Sequence, residues 1–182
     1  ALGIAFDLSL LRAIATDNRG IERWRERLIE ADLIAPVDRD QRQYRFTHAL
    51  VRDVAYQNLL LSRRTDLHER AGLALEAHVG ERPERLSDLE ALGHHWSLSA
   101  DKARGARYLM AAGDWARALY ANDDAIRHYS RALQTLIDCS GCELLGRAAQ
   151  ERLADLLALT GRRSEALAHY EPLLQNFAAF RD

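Results

Sequence analysis

Lysine is all but absent from this chain. Lys102 is the single example among 25 basic residues, so the positive charge is carried by arginine. A phosphate-binding P-loop needs a lysine followed by serine or threonine at the end of a glycine-rich turn. There the ammonium reaches the outer phosphates while backbone amides hold the inner ones. Ala103 follows Lys102, which excludes that motif. Cysteine is nearly as scarce, with Cys139 and Cys142 the only two. A structural zinc site wants a second pair at similar spacing, and a thioredoxin-like centre wants alternating strands and helices around its C-x-x-C. The pair therefore reads as a turn with two incidental thiols. No apolar run approaches the roughly 20 residues that span a bilayer. The opening ALGIAF has no basic segment before it, as a signal peptide would. These absences point to the cytoplasm and to no membrane partner. A net charge of −2 gives no general attraction to nucleic acid or anionic lipid. Neither a nucleophile elbow nor a His-Glu-x-x-His helix occurs, so no enzyme activity is expected of this segment.

What is present is the composition of an ordinary globular protein, 48% apolar and 29% charged over 182 residues, enough for one domain or two small ones. A start inside an apolar segment without methionine leads us to expect a piece of a longer protein. Asp7 can cap a first helix carrying Leu10, Leu11 and Ile14 inward. A second helix is expected over residues 19–31, with Ile21, Trp24 and Leu28 as its apolar stripe. Residues 33–37 read as a short strand, and Asp38, Arg39, Asp40 and Gln41 as a polar turn. The alternation Tyr44, Arg45, Phe46, Thr47 reads as a second strand. From His48 the period becomes helical, with Leu50, Val54, Leu60 and Leu61 recurring, so the strand should feed a buried helix.

Ser62 is the expected cap of a helix over 63–79 with Leu67, Ala71, Ala74, Leu75 and His78 on one side, stopped by Gly80-Glu81-Arg82-Pro83. Ser87-Asp88-Leu89-Glu90 has the form of a capping box, opening a helix with Leu89, Leu92 and Trp96 inward that should end near Ala100. Every later segment reads as helix. Gly113, Ala125, Tyr129 and Ala132 match the small and aromatic positions of a tetratricopeptide repeat, and Ala154, Ala166 and Tyr170 match a second unit. Ala125 and Ala166 are 41 positions apart against an ideal repeat of about 34, with the Cys139 to Cys142 segment absorbing the excess. Asn122 and Ser164 are expected caps, and Gly161 suits the end of the preceding helix. Pro172 should kink or break the last helix, and Ile137 stands where a repeat usually carries proline.

The run Phe46-Thr47-His48-Ala49-Leu50, followed by Arg52-Asp53-Val54-Ala55-Tyr56, resembles the end of the winged-helix domain in the signal-transducing ATPases with numerous domains. It is most similar to the bacterial branch whose ATPase is often fused to an adenylate or guanylate cyclase. The resemblance implies a mainly α chain: a winged-helix domain with a β-hairpin over 1–61, a connecting helical pair over 62–100, and tetratricopeptide-like helices over 101–182. It implies that His48 senses nucleotide by reaching the phosphates of ADP in an upstream ATPase domain, which would hold ATP or ADP with magnesium. An imidazole can donate a hydrogen bond to a phosphate oxygen, and that contact vanishes when the domain swings away. The plainer reading is that His48 caps its own helix or packs in the hairpin.

Arg52, Arg63 and Arg64 are candidate contacts to the upstream domain, and the helical array would present a surface to an unidentified protein or peptide. No cofactor or metal is expected in the segment itself. Adjacent His94 and His95 point to different helix faces and do not readily share an ion. Winged helices often bind DNA, yet the helix after His48 offers only Arg52, Gln57 and Asn58 among apolar positions, and Asp53 opposes phosphate. Direct nucleic-acid binding is therefore not expected. A transcriptional regulator with its DNA-binding domain elsewhere and a free-standing repeat scaffold are the rival readings.

Overall fold

A computed structural model of the chain describes residues 5–15, 20–40, 42–80 and 83–179. The apolar start at 1–4, Arg19, Gln41, and Glu81 and Arg82 of the expected helix stop lie outside the described residues. Among those described, the chain is mainly helical, with nine helices and one small antiparallel sheet. It divides into two compact units, residues 1–81 and 82–182, so the division falls inside the stretch expected to be a connecting pair. No described helix is long and apolar enough to cross a membrane.

The first unit begins with β1 (Ala5–Asp7), a strand that the sequence reading did not anticipate. It runs into α1 (Leu8–Ile14), where Asp7 caps the helix as expected by accepting from the Ser9 amide at 2.7 Å. Leu8 and Ile14 are its buried residues, whereas Leu10 and Leu11 are only half-buried. α2 (Ile21–Glu30) buries Ile21, but Trp24 is 60% exposed, contrary to the expected stripe. The Arg27 guanidinium lies 5.2 Å from the Trp24 ring centroid, so one contact of this largely exposed indole is with a cation.

β2 (Ile34–Pro36) and β3 (Gln43–Phe46) form the hairpin, with Ala35 opposite Arg45. Asp38 holds its turn by accepting from the Arg42 and Gln43 amides at 2.9 and 3.1 Å. β1 pairs with the other side of β3, giving the order β1-β3-β2. Central β3 therefore buries Tyr44 completely, against Leu8, Ile21 and Ile34. α3 (Ala49–Gln57) follows, then α4 (Leu61–Val79), which packs on α1. Leu60 occupies the N-cap of α4 and Ser62 lies inside the helix, so the expected serine cap does not form. His68, Ala71 and Gly72 are the buried residues of α4, and His78 is exposed. The helix stops at Gly80, whose φ of 82° is cheap only for glycine.

The second unit is a run of helices in which each packs on its successor: α5 (Leu86–Ser97), α6 (Lys102–Ala118), α7 (Asn122–Leu136), α8 (Glu143–Leu159) and α9 (Arg163–Ala179). α5 buries Leu89, Leu92 and Trp96 as expected. Its capping box is absent because the N-cap falls two residues early, at Arg85. That guanidinium pairs with Asp88 at 2.9 Å across the first turn. Asn122 and Ser164 likewise stand within helices and not at their caps. α9 continues through Pro172, which removes one amide from the ladder without breaking the assigned helix.

The small and aromatic positions chosen from sequence do meet: Ala125, Tyr129, Ala132, Ala154 and Ala166 are all buried. Tyr129 donates to Asp114 at 2.7 Å, and 41 positions later Tyr170 donates to Asp155 at 2.5 Å, so the same bond is made twice. Burial, reinforced by the donated bond to Asp114, pushes the Tyr129 hydroxyl well above its ordinary value. Tyr129→Phe should cost about 1–2 kcal/mol. An unchanged urea midpoint would mean that the bond merely replaces one to water.

Cys139 and Cys142 are not incidental thiols. They are joined by a disulfide across the α7–α8 corner, with Cys142 buried in the cluster that includes Leu109, Met110, Leu136 and Ala149.

Candidate functional site

The β3–α3 junction carries the residue singled out from sequence. Thr47 still follows the hairpin, its amide donating to the Leu33 carbonyl at 3.0 Å. His48 then takes an extended conformation, φ −128° and ψ 125°, at the N-cap of α3, and its side chain makes no capping bond. The residue is exposed. Its carbonyl accepts from the Val51 amide at 3.1 Å, so the backbone opens the helix while the imidazole is not used for it.

α3 is not the buried helix that its periodicity suggested. None of its residues is buried, and Leu50 is 73% and Val54 49% exposed. Leu60 and Leu61, in the turn into α4, are 77% and 74% exposed. The helical period is real, but its apolar face is uncovered within the unit. What holds α3 is its last turn. The Tyr56 hydroxyl and the buried His68 Nε2 of α4 are 2.9 Å apart, with the two rings edge to face. The Arg64 guanidinium lies 5.3 Å from the Tyr56 ring centroid. It also donates through Nε to the Leu59 carbonyl at 3.0 Å, satisfying a carbonyl beyond the helix end.

The candidate arginines thus differ in what they can offer. Arg64 is committed to the α3–α4 junction. Arg52 lies one turn past His48 and binds the neighbouring Asp53 through Nε at 2.9 Å and a terminal nitrogen at 2.5 Å, which offsets its charge. Arg63, in the first turn of α4, makes a half-exposed pair with Asp66 at 3.2 Å, a contact of small net worth in water. The structure gathers all four residues on α3 and the start of α4, but no direct bond joins His48 to any of the three arginines among the described contacts.

Elsewhere, no group of three or more His, Cys, Asp or Glu among the described residues could hold a metal ion. The His94 and His95 rings meet edge to face with centroids 5.3 Å apart. Sequence reasoning missed the Tyr56–His68 pair because nothing local links a helix end to a histidine twelve positions on. It also missed the pairing of buried His128 with Glu90, Nε2 to Oε1 at 3.2 Å, which joins α7 to α5. Compared with protein-family models, curated proteins and solved structures, the chain gives no match.

Proposed function

We propose that this chain is a regulatory and protein-interaction segment of a multidomain bacterial signalling ATPase, of the type linked to a nucleotide cyclase, and that it performs no catalysis itself. In this reading residues up to about 61 form a winged helix, with the β2–β3 hairpin as the wing. The helices over residues 101–182 form a tetratricopeptide-like array that takes a protein or peptide partner in the cytoplasm. The observation that carries the reading is α3, which buries none of its own residues and exposes His48, Leu50 and Val54 together. Uncovered apolar side chains beside a hydrogen-bond donor suit a helix that closes onto another domain. An exposed imidazole that caps nothing can donate to a phosphate oxygen of ADP held there. The repeated Tyr–Asp bonds and buried alanines support the repeat assignment of the second unit.

The test is ADP retention by the full-length protein. His48→Ala should release bound ADP at least about tenfold faster, the equivalent of one lost hydrogen bond of about 1.4 kcal/mol. Unchanged retention would remove the sensing role.

A further inference from the structure

We propose that the Cys139–Cys142 disulfide is a thiol–disulfide exchange site, taking a low-molecular-weight thiol as its substrate and not serving as a closed structural staple. The two residues are asymmetric. Cys139 follows the end of α7 and is partly exposed, whereas Cys142 is 8% exposed and is the N-cap residue of α8. An incoming thiolate therefore reaches the Cys139 sulfur and displaces Cys142. The displaced sulfur is left at the N-cap of α8, where the helix dipole favours a negative charge against the opposing Glu143 carboxylate of the first turn, itself held by the Gly141 amide.

The bonds holding the corner do not need the disulfide. The Cys142 amide donates to the Cys139 carbonyl at 3.3 Å, the Gly141 amide to Glu143 Oε1 at 3.2 Å, and the Gly146 amide to the Cys142 carbonyl at 2.8 Å. Gly141 supplies the turn with φ 77° and nothing near its missing side chain. Opening the sulfur bridge thus leaves the backbone path intact, and once it has taken up its proton Cys142 packs as a small apolar residue among Leu136 and Ala149. A four-residue segment also restricts the unfolded chain far less than a long loop does, so the bridge contributes little as a staple.

The chemistry balances in two steps. A thiolate attacks the Cys139 sulfur; the Cys139–Cys142 bond breaks, a mixed disulfide forms on Cys139, and Cys142 leaves as thiolate. A second thiolate attacks the small-molecule sulfur of that mixed disulfide, releasing an oxidised dimer and the Cys139 thiolate. Two electrons pass from the small thiols to the protein, and their two protons end on the cysteines.

The experiment equilibrates the native chain with glutathione at graded ratios of reduced to oxidised form, traps thiols with iodoacetamide and maps them by mass spectrometry. We expect full interconversion across the series, with the mixed disulfide on Cys139. In Cys142→Ser, glutathione should cap Cys139 roughly tenfold faster than it caps Cys142 in Cys139→Ser. Peptide mapping of the unmutated chain keeps the test independent of how the variants fold. A bridge that stays closed under excess reduced glutathione, thiols that stay separate under oxidised glutathione, or equal capping of the two cysteines would each overturn the proposal.

Discussion

Gly105→Ala is expected to destabilise the helical unit by roughly 2 kcal/mol net, more than alanine at any other glycine of the array. A β-carbon there would lie 2.4 Å from the Ser97 amide nitrogen and 2.7 Å from both the Ser97 Cα and the Trp96 carbonyl carbon. These are backbone atoms of α5, and no rotamer change can withdraw them, so the two helices must separate. Separation uncovers Trp96 and Leu109, both fully buried, and disturbs the Arg104 guanidinium 4.1 Å from the Trp96 ring centroid. Against this, alanine in a helix gains about 1 kcal/mol over glycine. The comparison with other glycines sharpens the expectation. At Gly113 the intruding carbon would meet the Tyr129 ring at 2.4 Å, a side chain that can tilt at the cost of its bond to Asp114. At Gly93 it would meet the Leu109 side chain at 2.9 and 3.0 Å and its backbone nitrogen at 3.3 Å, milder contacts than at the other two, and the helix gain should offset much of the crowding. Urea unfolding of the three variants should rank them 105, 113, 93 from most to least damaged. A Gly105→Ala midpoint equal to that of the parent would show that the α5–α6 approach is looser than described.

Acidification below neutrality is expected to weaken the same unit. Burial, helped by the adjacent His94, lowers His95 from an ordinary value of 6.5 to about 4. An unfolded chain takes up this proton as pH falls through about 6.5, while the folded chain refuses it until about 4. Stability is therefore complete above 6.5 and declines as pH drops towards 4, by about 3 kcal/mol over the whole window. His128 acts in the same direction, since burial lowers it too, although Glu90 opposes the shift. The check is a series of denaturation midpoints from pH 7.5 to 4.5 on the parent and on His95→Gln. The parent should lose stability steadily below 6.5, and the variant should show a distinctly flatter profile. Parallel profiles would mean that His95 takes up its proton without unfolding.

Much of this architecture could be read from local chemistry. Asp7 announces α1 because its carboxylate has an amide within reach two residues on, and Gly80 and Gly161 announce helix ends because their positive φ suits no other residue so well. The small and aromatic positions from Gly113 to Tyr170 were legible because close helix crossings admit few side chains. Caps were less reliable: Ser62, Ser87, Asn122 and Ser164 all lie within their helices and not at the caps, and at α5 the Arg85–Asp88 pair spans the first turn in place of a serine cap.

For the candidate site, sequence alone determined that a strand ends just before His48 and a helix begins there, since the switch from a period of 2 to one of 3.6 is written in the side chains themselves. It could not determine which side of that helix is covered. Apolar spacing says only that a face wants burial, and whether a partner surface arrives depends on elements distant in the chain. Tertiary structure decided that Leu50, Val54, Leu60 and Leu61 remain open and that Tyr56 is anchored on His68. It likewise decided that Cys139 and Cys142 meet, because bridging two thiols depends on how α7 turns into α8 and not on their spacing alone.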